Sequence, residues 1–160
     1  MNRTLILGYG NPDRQDDGVA WHIQRALALA LGLPAPNSYE DEFPANNQLD
    51  FQFHLQLTPE MAEDIAAYEK VCFVDAHTGN IPAEVQMIPV ESAFQRSPFT
   101  HHLTAQSLLS MCETLYEKKP EAVLVSARGY RFEFQRELSP ETEALVPQAV
   151  GLIKNWLEET

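Results

Sequence analysis

The chain is short of basic residues, with 11 Lys and Arg against 23 Asp and Glu, and carries a formal net charge of −12. A nucleic-acid binder needs a basic face to displace counterions from phosphates, so this balance argues against that class. The acidic excess serves solubility, and it would also attract a cation or a basic partner. Cysteine is scarce too, with only Cys72 and Cys112. Both lie in apolar contexts that suit buried free thiols, and two thiols are too few for a zinc or iron–sulfur site of their own. No apolar run approaches the length that spans a bilayer, and a strand-like run begins within a few residues of the start, which leaves no room for a signal peptide. A cytoplasmic protein is expected, with neither nucleic acid nor membrane as partner. Repeats, low-complexity segments and linkers are lacking. With 160 residues, 44% of them hydrophobic, one ordered domain over 1–160 is expected.

The elements alternate in type. Residues 3–7 read as a strand, and 18–31 as a helix with Val19, Ile23, Ala26, Leu27, Ala30 and Leu31 on one stripe. Residues 50–57 have the period of a half-buried strand. Thr58-Pro59-Glu60 reads as the start of a helix running to about Tyr68. Val71–Val74 is a continuous apolar strand, and Glu84–Val90 a shorter one whose Pro89 favours an edge. Thr104–Tyr116 is a helix, Ala122–Ser126 a fifth strand, and Ser139-Pro140-Glu141 opens a last helix. This order predicts a three-layer α/β/α sandwich on a mostly parallel five-stranded sheet.

Ligands of such sheets bind beyond the carboxyl ends of the strands. Strand one runs into Gly8-Tyr9-Gly10-Asn11-Pro12-Asp13-Arg14-Gln15-Asp16-Asp17-Gly18, strand three into Asp75-Ala76-His77, and the third helix follows Thr100-His101-His102. Asp17 alone could be a helix cap. Asp17, Asp75 and one histidine together could hold a divalent ion such as nickel, zinc or manganese with positions left open, or could carry acid–base chemistry. His77 rivals His101 for the third place, whereas His22 and His54 lie inside a helix and a strand and read as structural. A phosphate-cradling loop would carry few acids, so Asp16-Asp17 argues against a nucleotide-binding module.

Taken in order, these motifs resemble the nickel–iron hydrogenase maturation endopeptidases. The opening Gly8-Tyr9-Gly10-Asn11 with Asp16-Asp17-Gly18 resembles that family's first loop. "QLTPEMAEDI" (56–65) and "CFVDA" (72–76) resemble its second helix and third strand. "THHLTAQSLL" (100–109) resembles its histidine segment, in the register that selects His101 over His102, and "RGYRFEFQRELSP" (128–140) resembles its last loop. The resemblance implies a peptidase that removes the C-terminal extension of a hydrogenase large-subunit precursor after nickel insertion. Asp17, Asp75 and His101 would then be the metal-binding and catalytic residues, and the nickel would be carried by the substrate. A monomer is expected. The alternative is a non-catalytic nickel-binding assembly factor. Two departures stand out: Gln56-Leu57-Thr58 where a glycine-containing loop is usual, and Ala20 where a glycine is. Arg128 and Tyr130 are expected to dock the substrate beside the metal. The alternative is that the aromatics Tyr130 and Phe132 of this loop cover the end of the core; were the loop to continue as a strand, they would share one face, with Arg131 and Glu133 on the other.

Overall fold

The computed structural model describes residues 3–46, 48–92 and 103–159. Its elements are β1 (Thr4–Tyr9), α1 (Val19–Ala30), β2 (Leu49–His54), α2 (Met61–Ile65), β3 (Lys70–His77), β4 (Val85–Pro89), α3 (Ala105–Tyr116), β5 (Glu121–Arg128), α4 (Pro140–Glu143) and α5 (Val146–Glu158). The strands form one sheet in the order β2-β1-β3-β5-β4, parallel except for β4, which runs antiparallel to β5 at the edge. This is the mostly parallel α/β architecture read from the sequence.

Side-chain alternation splits the core between the two faces of the sheet. Ile6, Cys72, Val74, Val123 and Val125 pack against α1 and α5. Leu5, Leu7, Val71 and Phe73 pack against α2 and α3. Both cysteines are buried and free. No described helix is long and apolar enough to cross a membrane.

Several boundaries moved, each for a local reason. β2 stops at His54, not at residue 57, because its partner stops: Tyr9 pairs with His54, and Gly10 then turns away at φ +146°. The Thr58-Pro59-Glu60 signal does make a turn, but the N–H groups of Met61, Ala62 and Glu63 bond three residues back. That tighter winding leaves only Met61–Ile65 as α-helix. β3 runs on to His77, past its apolar stretch, because its ladder to β5 continues to the His77–Arg128 pair. Asp75 therefore lies within the strand rather than after it. Residues 129–133 are irregular, not a strand continuation.

The strand order fixes where a site can form. The chain leaves β1 for β2 on one side and returns to β3 on the other. The crevice between the carboxyl ends of β1 and β3 is thus the topological switch point of the sheet.

Candidate functional site

Asp16 and Asp17, neighbours in sequence, have opposite surroundings. Asp16 is fully buried. Its Oδ2 accepts the N–H groups of Tyr130 (2.8 Å) and Arg131 (2.8 Å) and the hydroxyls of Ser139 (2.6 Å) and Thr142 (2.8 Å). Its Oδ1 accepts the Ser139 N–H at 2.8 Å. Burial pushes this carboxyl up, but hydrogen bonds from Ser139, Arg131 and Tyr130 outweigh it and hold Asp16 below the usual range. The Ser139 hydroxyl in turn caps α4 by accepting the Thr142 N–H. Asp16 thus fastens the return from β5 to the first loop. This capture takes the N–H groups that a strand continuation would have used, which is why residues after Arg128 leave the sheet.

Asp17 faces the crevice. It does not cap α1, whose N-cap is Gly18; its Oδ2 accepts the Asn11 N–H at 2.8 Å. The loop closes tightly enough that a Cβ on Gly10 would meet the Asp17 carbonyl oxygen at 2.1 Å, so only glycine fits.

Asp75 arrives from β3, on the sheet face that also carries Tyr9. Its Oδ1 accepts the Ala76 N–H at 2.7 Å, and the Tyr9 hydroxyl donates to the same carboxylate. Burial pushes Asp75 up to about 7, with the Asp17 charge adding to the rise and the two hydrogen bonds opposing it. Burial, and then the Asp75 charge, push the Tyr9 phenol up as well, which keeps it a donor.

Asp17 and Asp75 line one groove of about 830 Å³. Tyr9 and Arg14 belong to its wall, Leu55–Leu57 form a second side, and the start of α3 (Leu103 to Gln106) a third. The Gln56-Leu57 departure from the usual glycine loop therefore falls on this wall. Thr104 caps α3 by accepting the Ser107 N–H at 3.1 Å, which sets the helix start against the groove. His101 and His102 lie outside the described residues. Among the described residues no three His, Cys, Asp or Glu side chains form a ready metal cage.

His77, the rival to His101, is committed elsewhere. Its Nε2 lies 2.7 Å from the Ala83 carbonyl and its Nδ1 2.8 Å from the Ser126 hydroxyl. A carbonyl only accepts, so Nε2 donates, and with Nδ1 on the Ser126 hydroxyl neither nitrogen is free for a metal. His22 bonds the Tyr39 hydroxyl and His54 the Gln52 side chain, as structural histidines do. Arg128 and Tyr130 do not line the groove. The Arg128 guanidinium lies 4.5 Å from the Tyr130 ring centroid, and the Tyr130 hydroxyl bonds Glu84. Among the described residues, the cation lining the groove is Arg14. Sequence reasoning missed Arg14 and Tyr9. Tyr9 was detectable in principle as the last strand residue on the face of Leu5 and Leu7, but its meeting with Asp75 depends on β1 and β3 being neighbours.

No family model matches the chain, and no curated protein matches it in sequence. Solved structures match it in fold. The hydrogenase maturating endopeptidase HybD of Escherichia coli superposes with a TM-score of 0.71 at 21% identity, over 97% of this chain and 91% of that one. The NiFe hydrogenase maturation protease HycI of Thermococcus kodakarensis gives 0.70 at 18% identity, over 99% and 94%. HybD of the same organism gives 0.65 at 20% identity, over 96% and 98%. The shared fold is the one that the motif resemblance implies.

Proposed function

We propose that this chain is an endopeptidase of the hydrogenase-maturation type, which removes the C-terminal extension of a nickel–iron hydrogenase large subunit once nickel is in place. One observation carries the reading: two carboxylates from separate strand ends, Asp17 and Asp75, share a groove at the switch point of the sheet. The fold shared with proteins named as maturation proteases, and the motif order, support it.

In this account the substrate brings its own nickel, and Asp17, Asp75 and His101 bind it. Two carboxylates and an imidazole without thiolate form a weak site for a free ion, so the ion stays with the substrate. Bound nickel then marks which peptide is cut and polarises the groups around it. Hydrolysis adds water oxygen to the scissile carbonyl carbon, breaks the C–N bond and delivers a proton to the leaving nitrogen. Asp75, oriented by Tyr9 and the Ala76 N–H, is placed for its carboxylate or the nickel to polarise the attacking water. The cytoplasm would be the working compartment.

The test is a digest of the precursor in nickel-loaded and nickel-free forms, followed by intact mass. A shortened product from the loaded form alone is expected. Binding without shortening would make the chain an assembly factor instead. Tightly bound stoichiometric zinc in the purified protein, required for cleavage, would make it an ordinary metalloprotease.

A further inference from the structure

A second groove, of about 550 Å³, runs along the outer side of β2, with Phe51 to His54 in its wall. β2 is the last strand of the sheet, and no described strand pairs with its outer side. The carbonyls of Gln48 and His54 bond the N–H groups of Thr4 and Gly10, toward β1. In a parallel ladder the direction alternates, so residues 49, 51 and 53 turn both N–H and C=O outward. A row of such groups is a template for another strand.

The flanks of this edge say what kind of strand fits. On the α1 side lie Trp21, Tyr39 and Phe43, with Phe43 stacked on Phe51 at 5.1 Å between centroids. The rim is acidic: Asp41, Glu42 and Asp64 line it, all exposed and without an ion pair among the described residues. Glu40 also lines it, but is held by Arg136. Among the described residues no lysine or arginine lines the groove. At its far end β2 runs straight into Leu55 and Gln56, which wall the groove of Asp17 and Asp75.

We propose that an extended, net-positive segment of the protein substrate adds to the open edge of β2 as an extra strand, next to the cleavage groove. The substrate assignment rests on the processing function proposed above. Alternate side chains of the added strand would lie on the aromatic flank, and the intervening ones would meet the carboxylates. Main-chain bonds would supply affinity without demanding one sequence. A second copy of this chain is a poor occupant, because its own charge is −12.

The probe is a capped peptide of alternating Lys and Val, with amide hydrogen exchange read by NMR. Protection should appear at Phe51 and Phe53 and not at Gln52, because only the first two aim their N–H outward. A peptide N-methylated at alternate residues should bind at least about tenfold more weakly, as should the unmodified peptide to the Asp41→Lys, Glu42→Lys double variant. With the nickel-loaded precursor, that variant should raise KM with kcat unchanged. Equal binding by the N-methylated peptide, unprotected Phe51 and Phe53, or an unchanged double variant would overturn the proposal. Protection that grows with protein concentration in the absence of peptide would also overturn it, by placing a second copy on the edge. A wild-type chain that cuts no precursor would overturn the substrate assignment, while the amide pattern separately decides whether β2 takes a strand.

Discussion

At the scale of single residues, Asp16 and Asp17 show how two identical side chains divide a fold's needs. Asp16 receives five donors on two buried oxygens, and an amide there would turn an NH2 group toward donors. Asp16→Asn should therefore cost roughly 3–5 kcal/mol, the range for a buried charged network that loses a partner. Asp17→Asn keeps the acceptor for Asn11 and should leave a melting curve nearly unchanged. Equal melting temperatures for the two variants would show that the first loop does not depend on Asp16. Asp75 is the opposite case, a group whose ionisation the fold opposes. Its folded pKa, about 7, lies above the ordinary carboxylate value of 3.8. The folded state therefore holds the proton more tightly, and stability falls as pH rises from about 4 to 7. Asp75→Asn removes that cost. It should raise stability at pH 8 by roughly 1–3 kcal/mol after allowance for solvent screening, with the gain vanishing near pH 4. Thermal melts of both proteins across that range check it, and a variant less stable at pH 8 would mean that the carboxylate's hydrogen bonds outweigh its burial.

Elements were legible where sequence and backbone pairing agree, and less so where they diverge. All five strands and the long helices follow from apolar period, and the edge placement of β4 follows from Pro89. The end of β2 could not be read from residues 50–57, because it is set by Gly10, where the neighbouring strand β1 has ended. The extent of β3 was hidden for a related reason: its ladder continues through polar Asp75 and His77, whose hydrogen bonds replace apolar burial. The segment after β5 reads as a loop and is one, but what holds it could not be read: Asp16, more than 110 residues earlier, takes its N–H groups. Of the candidate site, Asp17 and Asp75 were legible as strand-end acids. Tyr9 and Arg14 were not, since their place depends on strand order and loop path.

For the whole molecule, the path from β1 out to β2 and back to β3 creates the crevice, and the loop after β1 and the end of β3 each place a carboxylate in it. The same path leaves β2 at an open edge beside that crevice, so a groove for chemistry and an edge able to hold an extended chain adjoin. The account stands or falls on the groove carboxylates acting together on a nickel-bearing substrate. The most direct measurement is the rate at which nickel-loaded precursor is shortened by wild type and by Asp17→Asn, read as intact mass beside a melting curve for each. The predicted result is a product from wild type and none from Asp17→Asn, at an unchanged melting temperature. Shortening by Asp17→Asn at the wild-type rate would contradict the account and place the chemistry elsewhere in the fold.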